Sequence, residues 1–158
     1  MQHRILRTID ANINRVSEGL RVLEDIARFI IEDSTSSKQL KSIRHQLSKS
    51  AGALSLDLLA HRDVPGDIGA GLDLTTDHDD LHSVIRANSK RVEEGLRVLE
   101  ELAKLPDIKS GLSASRLKES RYAVYSLEKT LTEELSSHQK LGNLSRENKR
   151  EQKKKKHQ

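Results

Sequence analysis

The chain has 158 residues, no cysteine, no tryptophan, a charged fraction of 33% and a formal net charge of +4. That length suits one domain that buries its own core, and the lack of cysteine excludes disulfides and thiolate chemistry. No apolar run approaches the roughly 18 residues of a membrane span, and no apolar signal core follows Met1. A cytoplasmic protein without membrane contact is expected.

Charge is placed unevenly. Residues 139–158 hold eight Lys/Arg and two Glu, net +6, while the whole chain carries +4, so the first 138 residues are net −2. The body is therefore mildly acidic, and its only aromatics are Phe29, Tyr122 and Tyr125. It offers neither the basic face nor the stacking surface of a nucleic-acid binder. Residues 136–158, which include Lys153 to Lys156, are expected to form a basic, disordered tail.

In chain order, the first element is a helix from Arg4 to Glu32. Its apolar residues Ile9, Ile13, Val16, Leu20, Leu23, Ala27 and Ile30 fall three and four apart, the seam of a packed helical bundle. Ser34 to Ser37 offers a cap for a second helix carrying Leu40, Ile43, Leu47, Leu54 and Leu58. A loop, His61 to Thr76, leads to a third helix over Asp77 to Leu105 with the same seam in Ile85, Val92, Leu96, Leu99 and Ala103. Pro106 ends it, and Ser110 to Ser113 starts a fourth, with Leu117, Val124, Leu127 and Leu131.

The third and fourth helices repeat the first and second. ANINRVSEGLRVLEDIAR (11–28) and ANSKRVEEGLRVLEELAK (87–104) agree at 12 of 18 positions at an offset of 76. LKSIRHQL (40–47) and LKESRYAV (117–124) extend the match at an offset of 77. The expected fold is all-α, an up-down four-helix bundle built from two repeated helical hairpins with pseudo-twofold symmetry. The expected units are repeat one (3–60), the loop (61–76), repeat two (77–135) and the tail.

Each long helix carries a second stripe: Asn12, Arg15, Gly19, Val22, Ile26 and Phe29 in the first, and Asn88, Arg91, Gly95, Val98, Leu102 and Leu105 in the third. Glycine inside a helix costs about 1 kcal/mol relative to alanine. Its presence in both copies marks either close helix approach or a gap where a ligand meets backbone. Asn12 and Asn88 offer a donor and an acceptor together, suited to a pyrimidine edge, and Arg15 and Arg91 can grip a phosphate bidentately. Glu18, Arg21, Glu24 and Asp25, like Glu94, Arg97, Glu100 and Glu101, have the spacing of solvated ion pairs. A second reading makes Glu18 or Glu94 a base or magnesium ligand. Arg44 and Arg121 repeat among apolar neighbours, so each needs either an acidic partner or a phosphate.

The loop HRDVPGDIGAGLDLTT has no counterpart in the other repeat. Its glycines permit turns that present N–H groups to an anion, and Asp63 and Asp67 suit Mg²⁺; an ordinary connector uses the same residues. No GxxxxGK[ST] loop and no Ser-His-Asp or Cys-His set is present. His78 and His82, among Asp77, Asp79 and Asp80, read as an acidic helix start rather than a metal site.

IDANINRVSEGLRVLEDIARF (9–29), LKSIRHQL, HRDVPGDIG (61–69), RANSKRVEEGLRVLEELAK (86–104) and YAVYSLEK (122–129) together resemble the noncanonical hydroxymethylpyrimidine phosphate kinase domain, commonly fused in front of thiamine phosphate synthase. The resemblance covers about residues 3–135. It implies ATP-dependent, Mg²⁺-dependent phosphorylation of hydroxymethylpyrimidine phosphate to the pyrophosphate. Matching positions are Asn12, Arg15, Glu18, Arg21, Arg62, Asp63, Asp67, Asn88 and Arg91, with Arg44 and Arg121 beside them as phosphate ligands. Asp63, Asp67 and Glu18 are the expected catalytic acids, the first two holding the metal. The Lys-rich segment stands where the synthase barrel would follow, so no synthase activity is expected of these residues. The competing reading is a non-catalytic helical domain that forms a homodimer or docks on thiamine phosphate synthase, with Arg15 and Arg91 paired to acids on a flat apolar face. A third, a helical module binding polyanions through its tail, is separated by truncation after Glu134.

Overall fold

In the computed structural model, positions 2–52, 55–62, 77–106 and 111–155 are described. Among them the fold is all-helical: α1 (Gln2–Phe29), α2 (Ser34–Gly52), α3 (Ser55–Ala60), α4 (Leu81–Leu102) and α5 (Ala114–Lys155). The long helices α1 and α4 pack on each other, α2 lies on α1, α5 lies on α4, and short α3 also touches α1. The expected second helix is thus two helices, α2 and α3. The segment expected to be a disordered tail from residue 136 is helical through Lys155.

Local chemistry sets the ends. α1 stops at Phe29, three residues short of expectation, because Glu32 takes a left-handed backbone at φ 61 and turns the chain. Asp33, rather than the serines after it, then caps α2: its Oδ1 accepts from the backbone N–H of Thr35 at 2.8 Å and of Ser36 at 3.2 Å. α4 starts at Leu81 rather than Asp77. There Asp80 accepts from the N–H of Ser83, whose hydroxyl bonds back to the Asp80 backbone, a capping box.

The expected seam forms the core except at Ile30, which is exposed past the end of α1 while Ile31 is buried. Ile9, Val16, Leu20 and Leu23 of α1 and Ile85, Val92, Leu96 and Leu99 of α4 are fully buried, joined by Leu40 of α2 and Val124 and Leu131 of α5. Burying such side chains stabilises by about 1.5–3 kcal/mol each. The two helices approach closely at their glycines. A β-carbon built on Gly19 would stand 2.7 Å from Cγ2 of Val92, and one on Gly95 would stand 2.6 Å from Cγ2 of Val16. Each contact is the other's counterpart at the 76-residue offset. Of the two explanations for the repeated glycine, close helix approach is the one the structure displays.

Candidate functional site

The asparagines of the second stripe are buried beside those glycines. The Asn12 amide donates to the Thr8 carbonyl at 2.8 Å and that of Asn88 to Val84 at 2.9 Å, each on its own helix. One amide hydrogen of each is therefore used within the helix rather than offered to a heterocycle. Arg15, Arg91 and Glu18 are exposed, and no described residue forms an ion pair with them. Val22, Phe29, Val98 and Leu105 are exposed as well. This exposed set includes no lining residue of either cleft described below.

The other expected arginines are held by acids. Arg44 donates from Nε and Nη2 to Oε2 of Glu24 at 3.1 and 2.8 Å; Arg121 donates from the same atoms to Oε2 of Glu100 at 3.3 and 3.0 Å. Both glutamates are buried, so these pairs lock α2 to α1 and α5 to α4. Burial pushes the Glu100 carboxyl up, and Arg121, Arg97 and Lys104 more than offset it, holding the group below the ordinary carboxylate range. Arg21 pairs with Asp25 at 3.2 Å, a solvated i,i+4 pair. Arg62 makes a two-pronged pair with buried Asp10, both bonds 2.8 Å. Next to Arg62 in sequence, the His61 ring lies tilted against that of His3, with centroids 4.6 Å apart. Asp63 and Asp67, the expected metal ligands, lie outside the described residues. Among the described residues no group of three or more His, Asp or Glu is placed to hold a metal ion.

The concave places lie elsewhere. One groove, about 800 Å³, runs between α2 and α5 and is lined by Ile43, Leu47, Lys49, Arg116 and Leu117 among others. A second cleft, about 630 Å³, lies along α4 and α5 and is lined by Asp80, His82, Arg86, Tyr125, Glu128, Lys129, Thr132 and Glu133. Buried on α4, facing one lining residue of this cleft, is a group the repeat pattern does not single out. Glu93 is 5% exposed and faces Glu128; its Oε1 is buried without a hydrogen-bond partner. One turn before it, Ser89 is fully buried, and its Oγ also lacks a partner. Burial pushes the Glu93 carboxyl up to about 7, with the Glu128 charge adding to the rise and Lys90 opposing it. A carboxyl that keeps its proton can both donate and accept. The signal that could have found them is internal. At the repeat offsets, Ser89 stands where repeat one has Ile13, and Glu128 where it has Ala51.

The chain is similar to proteins named thiamine-phosphate synthase. It is 38% identical to that of Rhodopirellula baltica over 124 residues, 77% of this chain and 33% of that protein. It is 41% identical to that of Synechocystis over 129 residues, 80% of this chain and 36% of that protein. It is 39% identical to that of Nostoc punctiforme over 135 residues, 83% of this chain and 36% of that protein. The chain thus spans about a third of the length of these relatives. No solved structure matches it. Residues 7–130 match the ThiD2 family, and the chain belongs to that family.

Proposed function

We propose that this domain acts in thiamine biosynthesis, transferring the γ-phosphoryl group of ATP to hydroxymethylpyrimidine phosphate and yielding ADP and the pyrimidine pyrophosphate. The family match over residues 7–130 carries the reading, and the relatives' shared name supports its pathway. Phosphoryl transfer demands positioning and charge neutralisation more than covalent chemistry, which a helical scaffold bearing cations and carboxyls can supply. Mg²⁺ would be held at Asp63 and Asp67 and would neutralise the nucleotide phosphates. The four long helices are read as the pseudo-twofold bundle in which duplication created two similar frames and one of them took up the chemistry.

A second reading, a non-catalytic domain docking on thiamine phosphate synthase, is favoured by the exposed Val22, Phe29, Val98 and Leu105 and by the greater length of the relatives. It calls for Arg15 and Arg91 to be paired to acids, and neither has an ion pair among the described residues. A coupled ADP-release assay separates the two. With ATP, Mg²⁺ and hydroxymethylpyrimidine phosphate, turnover on the phosphate and not on the free alcohol supports the kinase. A well-folded sample that turns over neither, and binds neither, supports docking.

A further inference from the structure

The groove between α2 and α5 joins an aliphatic floor to a cationic rim. Ile43 and Leu47 of α2, Leu96 of α4, and Leu112 and Leu117 beside them line the floor, each between 1% and 9% exposed. On the rim stand Lys49 from α2 and Arg116 from α5. Both are exposed, and neither has an ion pair among the described residues. Glu119 is the one acid on the lining, so the groove is net positive in a body whose first 138 residues are net −2. Between floor and rim lie Ser50 and Ser120, half-buried, whose hydroxyls have no hydrogen bond among the described residues. Gln46 donates its amide to the Ser42 hydroxyl at 3.3 Å, which leaves its carbonyl oxygen to accept from a ligand.

That division of the lining selects a ligand divided in the same way: a flat apolar body, a few hydroxyls and a polyanionic end. Its volume of about 800 Å³ lies within the about 300–1,000 Å³ of small-molecule sites. A nucleoside triphosphate has this make-up. The faces of its base suit an aliphatic floor, and a donor on its edge suits the Gln46 carbonyl. Ribose hydroxyls donate and accept, as do those of Ser50 and Ser120. The phosphates suit an unpaired ammonium and an unpaired guanidinium. The α4–α5 cleft fits the same ligand poorly, because Asp80, Glu128 and Glu133 place three carboxylates on its lining and like charges repel. Resting on the kinase reading above, we propose that the α2–α5 groove holds the phosphoryl-donor nucleotide, with its base on the floor of Leu47, Leu96 and Leu117 and its phosphates at Lys49 and Arg116.

The test measures binding of a non-hydrolysable ATP analogue with Mg²⁺ to the full chain by calorimetry, alongside melting temperature. One variant, Lys49→Met with Arg116→Met, changes two exposed side chains. It is expected to keep the parental melting temperature, to bind the analogue about a hundredfold more weakly and to bind hydroxymethylpyrimidine phosphate as the parent does. A second, Ser120→Trp, fills the groove above its floor and is expected to weaken the analogue and adenosine alike by about tenfold. Photolabelling the unaltered protein with an azido-ATP needs no variant, and the label is expected within residues 43–50 or 111–123. Parental affinity for the analogue in both variants, or label only on other residues, overturns the groove; with turnover intact the kinase reading stands. If the first variant melts below the parent, the photolabel decides. Analogue bound in the groove without turnover keeps the site and overturns the kinase. A parent that neither binds the analogue nor turns over the phosphate overturns both.

Discussion

Gly19 of α1 lies where any β-carbon would press on Val92 of α4, 2.7 Å from its Cγ2, with the Asn88 carbonyl oxygen 3.2 Å away. Relieving that contact means turning the tightly packed Val92 side chain or separating the two central helices. The first prediction follows from two opposed magnitudes. Alanine gains about 1 kcal/mol of helix propensity over glycine, whereas overpacking a close contact costs about 1–3 kcal/mol. Gly19→Ala and Gly95→Ala are each expected to lower the melting temperature, and Gly52→Ala, whose β-carbon meets nothing within 4 Å, to raise it slightly. Denaturant titration of the three variants checks the order.

The second prediction concerns the repeated cross-helix pairs. Glu24→Gln leaves Arg44 facing a neutral partner, and Glu100→Gln does the same to Arg121. Because both arginine side chains retain some solvent contact, the loss is put at about 1–2 kcal/mol each, below the full cost of breaking a buried pair. The pairs lie in different repeats and share no partner, so the double variant is expected to lose the sum.

Two glutamates seven residues apart on α4 are expected to drive stability in opposite directions with pH. Glu100 has its folded pKa held below 4.5, so its contribution is present above 4.5 and is lost as pH falls through the lowered value. Glu93 has its folded pKa raised to about 7 by burial, then by Glu128 from α5 and Glu94 on its own helix, with Lys90 acting against the rise. The folded state then holds the extra proton, so stability present at low pH is lost as pH rises from 4.5 to about 7. Glu93→Gln is expected to flatten that slope and to be more stable than the parent at pH 8, by about 1–3 kcal/mol. Chemical denaturation across about pH 2 to 8, in steps of about one unit, tests both signs. A parental slope retained in Glu93→Gln would contradict the assignment.

What the sequence made legible was whatever repeats with a helical period. The seam from Ile9 to Ala27 and its partner from Ile85 to Leu99 follow from spacing alone, because burial there depends on the helix's own geometry. The Glu24–Arg44 and Glu100–Arg121 pairs were half legible: an arginine among apolar neighbours needs an anion, but only the packing of α2 on α1 and α5 on α4 decides that the anion is a protein carboxylate. Glu93 was hidden. In sequence it sits beside Glu94 and reads as part of a solvated charged face, and it becomes buried only because α5 lies across it. The partner of Arg62 was hidden for the same reason, since Asp10, which takes up its guanidinium, is 52 residues away.

Transfer of a phosphoryl group onto an existing phosphate is observed directly by phosphorus NMR. The protein is mixed with ATP, Mg²⁺ and hydroxymethylpyrimidine phosphate and followed over time. The substrate's single phosphomonoester resonance is expected to be replaced by two coupled pyrophosphate resonances as ADP accumulates in equal amount. Persistence of the phosphomonoester resonance, with ATP unchanged and the protein folded throughout, would contradict it.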